Sequence, residues 1–118
     1  MTIQRLASNA RLSGAVVHGE LVYLSGQVPD NRQLGCAGQT EEVLGKLDAL
    51  LQQAGSSRAQ LLSVQIWLKD IERDFSAMNE VWTRWLPADA APARATVEAR
   101  LAAADVLVEM MAIATHTP

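Results

Sequence analysis

The sequence predicts an α+β domain in which two helices cover one face of a β-sheet. Two segments repeat apolar residues at helical spacing, and the others alternate or carry β-branched runs, in the order strand, strand, helix, strand, helix, strand, strand. The 118 residues form one predicted domain, residues 1–118, because no repeat or long linker divides them. Two helices leave the second sheet face to remain polar or to meet another subunit.

Charge and cysteine content limit the classes of protein that fit the chain. The net charge is -3 and 19% of the residues are charged, which argues against a protein that mainly binds nucleic acid, because that function usually needs a basic face. No signal peptide and no membrane-spanning run are expected. The single cysteine, Cys36, excludes an internal disulfide and is expected to be a free thiol in a loop. The simplest interpretation is a cytoplasmic protein.

The first two strands are predicted to form a hairpin between Ser13 and Gly26, with its turn at His18-Gly19-Glu20. Residues that favour strand conformation flank this turn: Val16, Val17, Val22, Tyr23 and Leu24. Residues 28–38 follow as a predicted loop, since they are rich in turn-forming residues.

The first helix is predicted from Gln39 to Ala54. Its apolar residues fall on one face: Val43, Leu44, Leu47, Leu50, Leu51 and Ala54. Glu41 and Glu42 are expected in the first turn, where the helix dipole favours acidic side chains, and Gly55 is the expected residue just beyond the helix end.

A strand is predicted from Leu61 to Asp70 by alternation of apolar and polar residues. The predicted core side consists of Leu62, Val64, Ile66 and Leu68. Trp67 lies on the other side, which indicates that the second sheet face is also covered and favours an oligomer.

The second helix is predicted to begin with Asp74 as its N-cap and to run to about Leu86. Its apolar stripe is Phe75, Met78, Trp82, Trp85 and Leu86, and Asn79 lies beside that stripe. Two last strands, 96–101 and 107–114, are predicted to be joined by residues 102–105.

Arg94 and Glu109 are the two charged residues whose positions call for an explanation. Arg94 precedes the predicted strand 96–101, and a guanidinium suits a carboxylate or phosphate, although a surface ion pair is the commoner role for such a residue. Glu109 stands in an apolar strand, where a carboxyl group is usually paired or has a raised pKa and can then act as a general acid or base. A solvated glutamate on an edge strand is equally consistent with the pattern.

Other chemistry has weaker support in the sequence. Asn79 needs hydrogen-bond partners if it is buried, and Ser25 at a strand end either forms a turn or lines a pocket. Two distant histidines and one cysteine do not suit a structural zinc site, and no phosphate-binding glycine loop is present.

Five motifs, in this order and spacing, resemble one known family. They are YLSGQVP at 23–29, the helix end AG at 54–55, DFSAMNEVW at 74–82, PARATVEARL at 92–101 and VEMMAIA at 108–114. They resemble the reactive-intermediate deaminase family, also called RidA/YjgF, whose members are often described as endoribonuclease L-PSP-like. The resemblance extends from about Ser13 to Ala114.

This resemblance implies a fold like that of the trimeric chorismate mutase, a mixed sheet with two helices on one face. Three subunits would join their sheets into a central β-barrel, with active clefts between adjacent subunits. The implied activity is hydrolysis of reactive 2-imino or enamine acids to 2-keto acids and ammonia, without metal or cofactor. The implied partners are a small carboxylate-bearing imine, enamine or 2-keto acid and two further copies of the chain, but no membrane.

The resemblance also implies roles for individual residues. Arg94 corresponds to the arginine that grips the substrate carboxylate, and Glu109 to the glutamate that positions water or moves a proton. Ser25 and Asn79 correspond to residues that line the cleft. Leu12 stands where many members have a tyrosine, and Thr96 where many have a cysteine, so Leu12 makes the cleft more apolar while Thr96 still offers its backbone to the substrate.

Two other functions stay open at the level of sequence. A non-catalytic trimer that binds a small carboxylate, or that regulates a partner, is compatible with the loss of the usual tyrosine at Leu12. An endoribonuclease, an activity reported for some relatives, is disfavoured by the acidic balance and by the lack of a basic stripe.

Overall fold

The computed structural model describes residues 2–117, so Met1 and Pro118, the ends of the predicted domain, lie outside the described residues. The principal extents are 43 × 37 × 20 Å. A thickness of 20 Å corresponds to one layer of helices on one sheet, because packed layers lie about 10 Å apart. No helix among residues 2–117 is long and apolar enough to cross a membrane.

The described residues form six strands, two α-helices and one short 3₁₀ helix. The strands are β1 Ile3–Ser8, β2 Ser13–His18, β3 Leu21–Gln27, β4 Leu61–Leu68, β5 Ala93–Glu98 and β6 Val108–Thr115. The helices are α1 Cys36–Gln53 and α2 Ile71–Trp85, with the 3₁₀ helix at Arg58–Gln60. The strand order is β1-β2-β3-β6-β4-β5, and β4–β5 is the parallel pair in a sheet whose other pairs are antiparallel. The predicted α+β class with a mixed sheet is confirmed.

The core lies between the sheet and the two helices. Alternate strand residues enter it, and they include Ala15, Val17, Val22, Leu24, Val64, Ile66, Leu68, Val108, Met110, Ala112 and Ala114. The helix residues of the core include Val43, Leu44, Leu47, Leu51, Met78 and Trp82, which follows the predicted stripes. Leu47 is fully buried, so a change to alanine there would cost about 2–5 kcal/mol of stability. Both helices therefore cover the same sheet face, as predicted.

Strand β1 is absent from the sequence-based prediction. All of its side chains except Leu6 are exposed, so it lacks the alternation that marks a half-buried strand. It is held at the sheet edge by antiparallel pairing with β2. The predicted hairpin of β2 and β3 is confirmed, and Gly19 adopts the positive φ of 61° that its two-residue turn requires.

The last two strands follow each other in the sequence but lie apart in the sheet. Strand β5 pairs in parallel with β4, and β6 lies between β3 and β4, so β5 and β6 are not neighbours. Helix α2 supplies the long connection that a parallel pair needs. Strand β5 also begins earlier than predicted, at Ala93, which places Arg94 inside the strand rather than before it.

Helix α1 begins at Cys36, three residues earlier than predicted. Cys36 is therefore a buried helical residue and not a loop residue, and burial raises the pKa of its thiol. Glu41 and Glu42 consequently lie beyond the first turn, and Glu42 Oε1 instead accepts the backbone N–H groups of Asp30 and Asn31 at 2.9 and 2.8 Å.

The predicted end of α1 is confirmed to within one residue. Gly55 follows the helix with a φ of 79°, and its N–H donates to the carbonyl of Gln52 at 3.1 Å. The N–H of Ser56 donates to the carbonyl of Leu51 at 2.8 Å. These two bonds satisfy helix carbonyls that would otherwise lack partners, and the positive φ favours glycine.

The predicted cap of α2 is wrong. Asp70 is the N-cap, and its side chain accepts the N–H of Arg73 at 3.1 Å. Asp74 is instead buried within the helix and pairs with Arg73 at 2.8 Å. The helix begins earlier than predicted because β4 ends at Leu68 and only two residues separate the elements.

The predicted alternation in β4 fails only at its start. The register with β6 shifts between Leu61 and Ser63, and this irregularity turns Leu62 outward, with 46% of it exposed, while Leu61 enters the core. From Val64 to Leu68 the alternation holds, and Trp67 lies on the sheet face away from the helices.

Candidate functional site

Arg94 lies on the helix-covered face of the sheet, at the edge strand. It is in register with Val64, whose side chain is buried under the helices. Its Nη1 donates to Asn79 Oδ1 of α2 at 2.7 Å, and its guanidinium carbon lies 5.4 Å from the ring centre of Trp82 and 6.0 Å from that of Phe75. Two aromatic rings and one amide thus orient the guanidinium.

The charge of Arg94 is not neutralised within the described chain. No carboxylate among residues 2–117 pairs with it, and Asn79 is the one group there that accepts its hydrogen bonds. Burial lowers the pKa of Arg94, but an arginine remains charged at any ordinary pH. An oriented cation with free N–H donors is suited to binding a small anion.

Thr96 points to the same side of β5 as Arg94, as the alternation predicts. It is in register with Ile66, on the helix-covered face. Its Oγ1 is buried and has no hydrogen-bond partner, and no other buried side-chain nitrogen or oxygen among residues 2–117 lacks one.

Glu109 lies on the opposite face of the sheet, away from the helices. It is in register with Trp67 on β4, and Met111 and Ile113 lie on the same side of β6. Burial raises the pKa of the Glu109 carboxyl group above its ordinary value. A carboxyl group with a raised pKa can exchange protons closer to neutral pH.

Gly26 makes room for Glu109. A Cβ atom at position 26 would lie 3.2 Å from Glu109 Cδ and closer still to Oε2, so any larger residue there would displace the carboxyl group. The β3–β6 register shifts between Leu24 and Gln27, and this irregularity in β3 brings the Gly26 backbone beside the carboxyl group.

Ser25 and Leu12 border one pocket of about 390 Å³ beside the second half of α1. Ser25 Oγ donates weakly to the Gly14 carbonyl at 3.4 Å, and 52% of Leu12 is exposed. Lys46 also lines the pocket, but its amine is held by the Val28 carbonyl and by Asp30, each at 2.7 Å. The remaining walls are mostly apolar: Ala7, Gly14, Ala49 and Leu50.

The predicted site residues therefore form two groups. Arg94, Asn79 and Thr96 lie together beside α2, whereas Ser25, Leu12 and Glu109 lie near the β3 irregularity, where Gly26 borders both the pocket and the carboxyl group. Strand β4 separates Arg94 from Glu109, which lie on opposite faces and are aligned with β4 residues three positions apart, Val64 and Trp67. A single chain does not bring the arginine and the carboxylate together.

Three residues of these two groups have no sequence signal that points to a role in a site. Phe75 and Trp82 belong to the predicted apolar stripe of α2, and their contact with a cation depends on the strand that lies beneath the helix. Gly26 appeared only as the end of a strand, and its close approach to Glu109 depends on the pairing of β3 with β6. Within residues 2–117, no cluster of three or more His, Cys, Asp or Glu side chains could hold a metal ion.

Comparison with known proteins identifies the family. The sequence model described as endoribonuclease L-PSP matches residues 2–116. A RutC family protein of Haemophilus influenzae is 43% identical over 116 residues, which cover 98% of this chain and 99% of that protein. The RutC family protein YoaB of Escherichia coli K12 is 39% identical over 97% of this chain and 98% of its own length. The chain belongs to the RidA/YjgF family, which includes the RutC and L-PSP proteins.

Solved structures agree with this assignment. NMB1025 of Neisseria meningitidis, a member of the YjgF protein family, superimposes with a TM-score of 0.94 at 40% identity, covering 100% of this chain and 98% of that one. A protein of Pseudomonas aeruginosa superimposes with a TM-score of 0.95 at 38% identity, covering 98% of this chain and 100% of that one.

Proposed function

We propose that the protein hydrolyses reactive 2-imino acids and their enamine tautomers to 2-keto acids and ammonia. The observation that carries this proposal is the oriented, unneutralised guanidinium of Arg94, which suits the carboxylate of such a substrate. Glu109 supplies the second requirement, a carboxyl group whose raised pKa suits proton transfer to and from water. Family membership adds support, because the segments that contain these residues, PARATVEARL at 92–101 and VEMMAIA at 108–114, resemble motifs of the family.

The chemistry needs little beyond positioning. Arg94 holds the substrate carboxylate and thereby orients the C=N carbon. With the imine nitrogen protonated as an iminium, Glu109 accepts a proton from water while the water oxygen bonds to that carbon, and the π electrons of the C=N bond move to the nitrogen, which becomes a neutral amine. Glu109 then returns this proton to the nitrogen. As the C–N bond breaks, the Glu109 carboxylate takes the proton of the new hydroxyl group, the C=O bond forms, and ammonia leaves and carries that proton away as ammonium. The proton balance closes on one carboxyl group, and the step requires no metal or cofactor.

The proposal includes assembly into a homotrimer. Arg94 and Glu109 lie on opposite faces of one sheet, so a joint site requires Arg94 from one copy and Glu109 from a neighbour. The face away from the helices carries half-buried or exposed apolar residues that a neighbouring copy would cover: Tyr23, Trp67, Val97, Met111 and Ile113. A closed ring of three copies repeats one such contact three times and creates three equivalent clefts.

Turnover of a panel of 2-imino acids, generated in situ by an amino-acid oxidase, tests the activity. Wild-type protein should accelerate ammonia release, and Arg94→Ala should remove the acceleration. Arg84→Ala is the matched control, because Arg84 is an exposed arginine on α2 that pairs with Glu41 at 3.6 Å. Full activity in Arg94→Ala, or loss of activity in Arg84→Ala alone, would refute the assignment.

Mixed assemblies test whether two copies share each site. Arg94→Ala and Glu109→Ala proteins should each be inactive alone, but subunit exchange at equal amounts should restore about a quarter of the wild-type sites, because a random neighbour pair has that chance of combining both intact residues. No recovery after demonstrated exchange would show that the two residues do not act in a shared cleft.

A non-catalytic trimer that binds a small carboxylate is the second candidate. In this candidate Arg94 still binds the carboxylate of the ligand. Leu12 favours it, because Leu12 supplies no hydroxyl group to the pocket that it lines together with Ser25. Tight binding of 2-keto acids without turnover of any imine would favour it over the enzyme. An endoribonuclease is the third candidate, and RNA cleavage lost in Arg94→Ala would favour it, although the net charge of -3 offers little attraction for RNA.

A further inference from the structure

Thr96 is an exception to the rule that buried polar groups are hydrogen-bonded. Its Oγ1 has no partner, whereas the buried hydroxyl of Thr40 in helix α1 donates to the Cys36 carbonyl at 2.7 Å. Leaving a buried hydroxyl unpaired lowers stability, so such a group in a native protein calls for an explanation.

The surroundings of Thr96 indicate what could pair with it. The side chains of Thr96 and Arg94 lie on the same face of β5. The two residues are two positions apart, which is about 7 Å along a strand. That spacing is comparable to the length of a carboxylate group with one hydrogen bond at each end. Arg94 also has free N–H donors on a guanidinium that Asn79, Phe75 and Trp82 orient.

We propose that the Thr96 hydroxyl donates a hydrogen bond to the carboxylate of an acid held by Arg94. The side chain is half-buried, and rotation about its Cα–Cβ bond exchanges the hydroxyl with the methyl group, so the hydroxyl can turn toward the ligand. This inference rests on the proposed function only for the class of ligand, a small 2-keto or 2-imino acid, and not on the hydrolysis itself. The threonine side chain then contributes a donor in addition to its backbone.

The experiment uses 2-oxobutanoate, a stable 2-keto acid, and measures its dissociation constant by calorimetry together with the thermal midpoint of each protein. Thr96→Val removes the hydroxyl at nearly constant volume and should weaken binding about tenfold or more, because hydrogen bonds to charged groups are among the stronger ones. The same change should leave the midpoint unaltered or raise it, since it removes an unpaired buried group. Thr96→Ser keeps the hydroxyl and should retain most of the affinity for 2-oxobutanoate. Thr96→Ala lacks the hydroxyl and should weaken binding as much as Thr96→Val does.

Thr40→Val is the matched control, because it makes the same chemical change at a hydroxyl that is already paired. It should lower the thermal midpoint and leave the affinity for 2-oxobutanoate unchanged. Affinity that is lost in Arg94→Ala but unchanged in both Thr96→Val and Thr96→Ala would overturn the inference while leaving the proposed anchor intact. Absence of any binding to the wild-type protein would remove both the inference and the ligand class of the proposed function.

Discussion

The carboxyl group of Glu109 lies in the space that a side chain at position 26 would occupy. A Cβ at Gly26 would meet Glu109 Cδ at 3.2 Å, and Oε2 is nearer still. The backbone of Gly26 is not in the left-handed region that favours glycine, so the requirement for glycine at this position is one of space and not of conformation. Gly26 thereby sets the position of the group to which we assign proton transfer.

Gly26→Ala should displace the Glu109 carboxyl group and reduce kcat. Displacement by about 1 Å costs on the order of 100-fold in rate. Affinity for 2-oxobutanoate should change little, because a Cβ at Gly26 would meet Glu109 and not the Arg94 anchor. Steady-state kinetics with calorimetric binding separates the two effects. A second change, Glu109→Asp, shortens the acid and should recover part of the rate in the Gly26→Ala protein.

Gly45→Ala is the control for this glycine change. A Cβ at Gly45 would meet nothing within 4 Å, and the residue is exposed within α1. The substitution should raise the free energy of unfolding by about 0.5–1 kcal/mol and leave kcat unchanged. Equal losses of rate in Gly26→Ala and Gly45→Ala would show that Gly26 has no special relation to Glu109.

The stability of the protein should depend on pH through Glu109. Burial raises its pKa in the folded state, so the unfolded chain loses the proton first and the folded state binds more protons between the two pKa values. The stabilisation that comes from the protonated Glu109 carboxyl group is complete below its ordinary pKa of 4.5. It is lost as the pH rises through the pKa of the folded state. Urea unfolding should be measured from pH 4 to pH 8. As the pH rises through the interval between the two pKa values, the free energy of unfolding of wild type should fall relative to that of Glu109→Gln, and above that interval the difference should stay constant. A difference that does not vary with pH would contradict the assignment.

Asn79 should act on substrate affinity through Arg94. It accepts a hydrogen bond from Arg94 Nη1 at 2.7 Å, so Asn79→Ala leaves the guanidinium held only by Phe75 and Trp82. We expect KM to rise about tenfold while kcat changes less. A less well oriented Arg94 would bind the carboxylate of the substrate and that of the transition state more weakly by similar amounts. Asn79→Asp is the informative contrast: its new carboxylate would pair with Arg94 and should inhibit binding of an acid more strongly than Asn79→Ala does.

Leu12 should influence which substrates the cleft accepts. It lines the pocket of about 390 Å³ with Ser25 and Gly26, and Gly26 also borders the Glu109 carboxyl group. Leu12→Tyr narrows this pocket, so the ratio of kcat/KM for the imine of leucine to that for the imine of alanine should fall about tenfold. Ile3→Tyr places the same residue at another exposed apolar position, 47% exposed on β1, and should leave the ratio unchanged.

Much of the local structure could be predicted because it depends on short-range periodicity. The stripes of both helices, the alternation of Val64 to Leu68 and the glycine turn of the hairpin all follow from neighbouring residues. The predictions that the structure corrects concern segments where the local sequence signal is weak or ambiguous. Strand β1 is mostly exposed, Leu62 lies at a register shift, and both Asp70 and Asp74 are acceptable caps in sequence.

The sequence by itself determined the α+β class and the family, because both depend on residue type and on spacing along the chain. The tertiary structure alone decided the strand order, since pairing of distant segments is not encoded in local periodicity. That order places β4 between Arg94 and Glu109 and turns them to opposite faces. It also brings Asn79 and Trp82 to the guanidinium and Gly26 to the carboxyl group, which are contacts that only the packing of remote segments creates.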